Sequence, residues 1–303
     1  MNYSHRKVSN VGAVAPDRAL WAMGGLWALC LALLLHGPSS AQDWQHNNRN
    51  LSLHASRTAQ RYSEQDTQLL TADGVLDSEA GHPTGWGAQG RWQGELDALG
   101  ALPLWLQAGA ERSSGQTDYN GYLQNGTTLT PYRAKTGNIW QSQSLRVGLP
   151  LTADNWPQWQ FIPYADWTHQ RWQRNLVQYR ETYTERRQSL GLLVQWQPAW
   201  PDMTGLHEEG RKPWLIELGH QRSVSQRGSV SAPTLDFAAT QPLSPTQQTE
   251  LRLRYAISPR WHLQLQAQSQ RTSTTASAVV DGLQSPPSQT RQSQLALGLG
   301  WTY

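Results

Sequence analysis

The sequence predicts an all-β fold: a transmembrane, antiparallel, up-and-down β-barrel of about ten strands, with eight and twelve as the alternative counts. Three observations predict it. The end of the chain alternates without a break, with Leu295, Leu297, Leu299, Trp301 and Tyr303 on one face and Gln294, Ala296, Gly298, Gly300 and Thr302 on the other. Alternation of period two is the mark of a strand with one apolar wall. The mean hydropathy is low, at −0.63, yet the chain carries 16 tryptophans. That pairing suits a barrel in which only alternate residues meet lipid, and it does not suit disorder. Finally, ten alternating segments are separated by short and long links in turn.

Segment one, 50–64, sets Leu51, Leu53, Ala55 and Ala59 against Ser52, His54, Ser56, Thr58, Gln60 and Tyr62. A long link, 66–84, follows. Segment two, 85–97, places Trp86, Ala88 and Trp92 outward and Gln89, Arg91, Gln93 and Glu95 inward. A tight connection leads to segment three, 104–114, with Leu104, Leu106, Ala108 and Ala110 on one face. The link 115–137 is rich in Gly, Asn and Thr and reads as a loop. Segment four, 138–149, ends on Leu145, Val147 and Leu149. Segment five, 158–174, contains Pro163, which requires a bulge or a tolerant ladder position.

Segment six, 185–197, carries Leu190, Leu192, Val194 and Trp196. The link 198–213 is the weakest point of the count. Segment seven, 214–227, and segment eight, 248–257, flank a Pro/Thr/Ser-rich link. Ser258-Pro259-Arg260 is a tight turn into segment nine, 261–271, and a further link leads to segment ten, 294–303. An even count puts both ends of the barrel domain on one side. Trp159, Trp196, Trp214, Trp261, Trp301 and Tyr303 then gather at that side as an aromatic girdle, with Trp105, Trp156 and Trp200 beside them. Trp140, Trp167 and Trp172 fall toward the other rim.

The front of the chain reads as a leader. Arg6, Lys7 and Arg18 precede an apolar stretch from Leu20 to Leu35, and Ser39 and Ala41 stand at cleavage spacing. The expected division is a cleaved signal peptide, 1–41, and a barrel domain, 42–303. Cys30, the sole cysteine, lies in the leader behind Leu29, so neither lipidation nor a disulfide framework is expected. Three of the 25 basic residues and one of the 22 acidic ones belong to the leader, so the remainder is nearly neutral. That balance excludes nucleic acid as an expected partner.

The leader, the alternating segments and the ending Leu297-Gly-Leu-Gly-Trp-Thr-Tyr303 together resemble small bacterial outer-membrane β-barrel proteins as a class. The resemblance implies residence in the outer membrane of a Gram-negative bacterium, with short turns in the periplasm. It implies contact with outer-membrane lipid and lipopolysaccharide, and recognition of the C-terminal strand by the barrel-assembly machinery. A monomer without cofactor or metal is expected.

The inward face carries Arg91, Glu95, Glu111, Arg146, Asp166, Glu217, Arg252, Arg254 and His262. Buried charges must find partners, and a ten-stranded lumen is narrow enough for side chains to fill. A polar plug is therefore expected, and with it a structural or surface-interaction role. The alternative is a narrow channel for small polar solutes. A second alternative is a surface hydrolase at the extracellular rim. Omptin proteases, also ten-stranded, use paired acids and a His–Asp pair in such a groove. The sequence shows no traceable overall likeness to omptins, but Asp77, Glu79 and His82 lie close together in the first long link. They are the only rim candidates for general acid–base work, and a solvated acidic loop is the plainer expectation for them.

Overall fold

The protein is described here from a computed structural model, which describes residues 43–303 apart from 67–70, 72, 97–101, 126–127, 153–155, 177–178, 201, 204–211 and 282. The expected signal peptide lies outside the described residues. A short helix, α1 (Asp43–Asn47), precedes the strands β1 (Asn50–Gln65), β2 (Val75–Gly81), β3 (Thr84–Leu96), β4 (Leu102–Asn125), β5 (Thr128–Gly148), β6 (Leu151–Thr152) and β7 (Trp159–Asn175). They continue as β8 (Arg180–Trp196), β9 (Trp214–Ala232), β10 (Phe237–Gln241), β11 (Leu243–Ala256), β12 (Trp261–Thr274) and β13 (Ser288–Thr302).

These elements make a closed, antiparallel barrel of ten staves, in which the two-residue β6 continues β5, since both pair with β7. β2 and β3 are one stave interrupted at His82-Pro83, since both pair with β1 on one side and β4 on the other. β10 and β11 are likewise one stave, interrupted at Pro242, and both pair with β9. Proline has no N–H to give to a ladder, so each break falls where pairing must lapse. Closure is made by β1 against β13, in register from Asn50↔Thr302 to Glu64↔Ser288. Pro163 sits in β7 just past the end of the β5 ladder, at Gly148↔Tyr164, while the β7–β8 register runs through it unbroken. Its carbonyl still accepts from Leu149 N at 3.1 Å.

The outer wall explains why these residues form strands at all. Leu51, Leu53, Leu263, Leu265, Leu297 and Leu299 point outward, and Leu53 and Leu297 are 62% and 63% exposed. A contiguous apolar belt of this size has no place in water; it is the lipid-facing band of a membrane barrel. Where the outer face ceases to be apolar the strands nonetheless continue. β4 and β5 reach Asn125 and Thr128, where the sequence predicts a loop over 115–137. The long link expected over 66–84 likewise contains β2. Above the belt both faces of a stave are polar, so the alternation that betrays a strand disappears.

One aromatic expectation is corrected. Trp105 is fully buried inside the barrel with Ile162, Tyr164 and Leu193, because it shares the inward parity of Gln107 on β4. The other tryptophans expected near the ends do meet there. Trp159 stacks on Trp196 with centroids 5.4 Å apart, Trp196 and Trp214 both pack edge-on against Trp200, and Trp301 pairs with Trp261 in the ladder. Trp140 and Trp172 face inward at the far end and stack at 4.5 Å.

Candidate functional site

The interior is filled in layers, beginning at the end where α1 and β13's terminus lie. Trp44 of α1 is buried and donates its indole N–H to Pro157 O at 3.1 Å. Just beyond the helix, Asn48 is wholly buried and its amide donates to Gln93, Gln160 and Gln195 at 2.7, 3.2 and 2.9 Å. Three staves thus hold one asparagine across the mouth. Arg254 donates to Asn47 O at 2.8 Å from a fourth.

The next layer is centred on Glu217, which is 1% exposed and ion-paired with Arg91, with Arg252 at 3.0 Å and with Arg254 at 3.6 Å. Arg252 also reaches Gln89 and Gln266, each at 3.0 Å. Above it Arg146 bridges Glu250 at 2.6 Å and Asp166 at 3.2 Å. Its guanidinium lies 5.0 Å from the Tyr164 ring centre. Buried charges are tolerated only when paired and hydrogen-bonded; Arg146–Asp166 and Arg252–Glu217 pair neighbouring staves, while Arg91–Glu217 and Arg146–Glu250 reach across the lumen. From the Arg146 cluster toward Trp140 and Gln292 remains a cavity of about 140 Å³, below the size of an ordinary ligand pocket. Glu111 borders it, accepting from Ser56 Oγ at 2.8 Å and from Gln294.

The far end is acidic and aromatic. Arg174 is ringed by Glu79 at 2.6 Å, Glu181 at 2.7 Å, Glu64 at 3.4 Å and Asp77 at 3.7 Å. It also lies 4.5 Å from the Tyr62 ring and 5.4 Å from that of Trp172. This vestibule stands beyond the apolar belt. One cation faces four carboxylates, so protonation must relieve the excess charge. Burial raises the Asp77 carboxyl to about 6; Arg174 pulls it down and Glu181 and Glu79 push it up. Burial also lifts Glu64 well above the usual carboxylate range, reinforced by the charge of Asp77.

The rim candidates do not converge. Asp77 and Glu79 are strand residues of β2 with buried side chains, and His82 is exposed on the outer face past the end of that strand. Odd-numbered residues face inward on both sides of the break, in β2 and in β3, and His82 between them is off that parity. Of the inward charges predicted from parity, Arg91, Arg146, Asp166, Glu217, Arg252, Arg254 and His262 are buried and Glu111 is half-buried. Glu95 is exposed, because it lies past the mouth of the barrel near the end of β3. The sequence reading missed Arg174, Glu64, Glu181 and Glu250. The parity of Asp166 extended along β7 would have found Arg174, and that of Arg252 would have found Glu250. His220 is exposed on the outer wall with Nδ1 3.0 Å from Thr249 Oγ1.

A closed stave ring, an apolar outer belt, an aromatic girdle and a polar interior define an outer-membrane type of β-barrel, and the bacterial outer membrane is where such a barrel resides. Comparison with solved structures agrees on the fold. The chain is similar to the outer membrane protease OmpT from Escherichia coli, with a TM-score of 0.53 at 11% identity over 84% of this chain and 97% of that one. Weaker likenesses include the β domain of the Bordetella autotransporter BrkA (TM-score 0.38, 10% identity, 84% and 99% covered) and Neisserial surface protein A (TM-score 0.32, 10% identity, 84% and 97% covered). No family model and no curated protein matches the sequence. At these identities the likeness is one of fold alone.

Proposed function

We propose that the protein is a plugged, monomeric outer-membrane barrel whose role is structural or one of surface interaction, not passage of solutes. The observation that carries this is the interior itself, closed in succession by Asn48, the Glu217 cluster and the Arg146 cluster. A conducting pore needs a continuous water path, and each of these layers crosses the lumen with direct side-chain bonds. The terminal end faces the periplasm in this reading, as short turns do in such barrels. The β4–β5 hairpin then stands outside the cell, where Tyr119 and Tyr132 pack on one another 6.2 Å apart.

The test is conductance. The refolded full-length barrel in planar bilayers is expected to pass no steady ion current at moderate voltage. Discrete, reproducible openings would overturn the plugged reading in favour of a narrow channel.

A further inference from the structure

The outer wall of β1, β13 and β12 is built in rows, because the two ladders share one register. Leu51, Trp301 and Trp261 form the first outward row, and Leu53, Leu299 and Leu263 the second. Ala55, Leu297 and Leu265 follow, and then Arg57, Leu295 and Ala267. The fifth row is small, with Ala59, Ser293 and Ser269. The sixth is Arg61, Arg291 and Arg271, side by side on three neighbouring staves. The row runs on through Gln247 of β11 to Arg222 of β9. All four arginines are exposed.

This row is a paradox for the isolated protein. Directly opposed residues on one face have Cβ atoms roughly 5 Å apart, where like charges repel. Arg291 donates to Gln289 Oε1 at 3.1 Å, but none of the four has a carboxylate partner among the described residues. The position of the row resolves the paradox. Ten residues separate the Trp301 row from the arginine row, about 33 Å of strand, or about 25 Å along the barrel axis at the usual tilt. That is the height of an outward apolar band. The indoles of Trp301 and Trp261 mark one interface, so the guanidinium groups sit at the headgroup level of the other leaflet. Guanidinium is the donor group best matched to phosphate, which it binds through paired N–H bonds.

We propose that Arg61, Arg291 and Arg271, flanked by Arg222, form a binding site on the outer wall for the phosphates of a phosphorylated glycolipid in the outer leaflet. The acyl chains of that lipid lie against the leucine rows below, and the small row of Ala59, Ser293 and Ser269 leaves room beneath the guanidinium groups for its sugar. One bound polyanion relieves both opposed pairs, Arg61–Arg291 and Arg291–Arg271, at once. The inference rests on the far end facing outward, as proposed above.

The experiment is native mass spectrometry and thermal unfolding of the full-length barrel in neutral detergent, titrated with bis-phosphorylated lipid A, dephosphorylated lipid A, phosphatidylglycerol and inorganic phosphate. Wild type is expected to retain lipid A and unfold at a higher temperature with it, while dephosphorylated lipid A and inorganic phosphate leave the midpoint unmoved. Arg61→Gln/Arg271→Gln/Arg291→Gln should weaken lipid A retention at least tenfold; without lipid its midpoint should match or exceed that of wild type, since repulsion is gone. Arg133→Gln, higher on the rim, should change neither. Equal stabilisation by dephosphorylated lipid A overturns the site, and so does unchanged retention by the folded triple variant. Retention of phosphatidylglycerol as strong as that of lipid A overturns the glycolipid assignment. If the triple variant does not fold, Arg271→Gln alone and the two lipid A forms on wild type decide the question. An epitope inserted at the β4–β5 tip, read by antibody on intact cells, tests the orientation separately. An inaccessible epitope fails that reading while the binding result stands on its own.

Discussion

Arg174 shows how much can depend on one side chain. Among the described residues it is the one cation ion-paired with four carboxylates that are themselves withdrawn from water. Removing one partner of a buried ion cluster costs about 3–5 kcal/mol, because the charges left behind lose their compensation. Arg174→Ala is therefore expected to lower the unfolding free energy of the vesicle-reconstituted barrel by that order, read as an earlier urea midpoint at unchanged m. The same cluster sets a pH dependence. The Asp77 carboxyl stands at about 6 in the folded protein, above its ordinary value of 3.8, so the folded state holds its proton to higher pH than the unfolded chain. The associated stability is complete below the ordinary value and is lost as pH rises through about 6. Hydrogen exchange at the far ends of β1 and β2 should thus be slower at pH 5 than at pH 7.5. Asp77→Asn with Glu64→Gln should flatten that difference, and exchange that is pH-independent after correction for intrinsic rate would contradict the assignment.

At the scale of the element, β13 and the β4–β5 hairpin make opposite points. The inward face of β13 is small because its neighbours need the space. A Cβ on Gly300 would lie 2.2 Å from the His262 imidazole, and one on Gly298 would lie 2.7 Å from Leu53 O. Gly300→Ala is expected to cost about 1–3 kcal/mol through overpacking. Adding His262→Ala should recover most of that loss in a double-variant cycle read by urea unfolding.

The hairpin tip is dispensable by contrast. β2 pairs with β4 only as far as Gly121, and β5 meets β7 only from Gly137 down. Replacing residues 122–131 by a two-residue Asn-Gly turn should leave heat-modifiable gel migration unchanged.

These two elements also show what the sequence disclosed. The belt portions of all ten staves were legible, since one face is apolar and the other is not. The rim portions were not, because Gln116, Asp118, Lys135 and their neighbours are polar on both faces and read as loop. Inward parity could be read for Arg91 and Glu217. Their meeting could not, since they stand 126 positions apart and only barrel closure brings them together.

For the whole molecule, charge is distributed along the axis as well as balanced in total. Near the terminal end three arginines surround Glu217, and at the far end four carboxylates surround Arg174. Between them Arg146 is held by Asp166 on the adjacent β7 and by Glu250 on β11, across the lumen, and Arg91 of β3 reaches Glu217 of β9, so the interior acts as a set of internal struts. Thermal unfolding should accordingly be a single transition when followed by Trp fluorescence and by far-UV circular dichroism. Separate midpoints would mean that rim and belt unfold independently.

The position of α1 bears on how this molecule is built. Asn48 lies two residues before β1, and β1 makes the closing seam with β13 at the other end of the chain. Of all the pairings in the ring, this one spans the greatest chain length, so it carries the largest loop-closure cost. The glutamines that grip Asn48 come from β3, β7 and β8, and all three must be in place before it can dock. Sealing of the mouth and closing of the ring are thus coupled through the short step of chain from Asn48 to β1. A barrel whose β1–β13 seam is open is therefore expected to lose its mouth seal along with its closed edge.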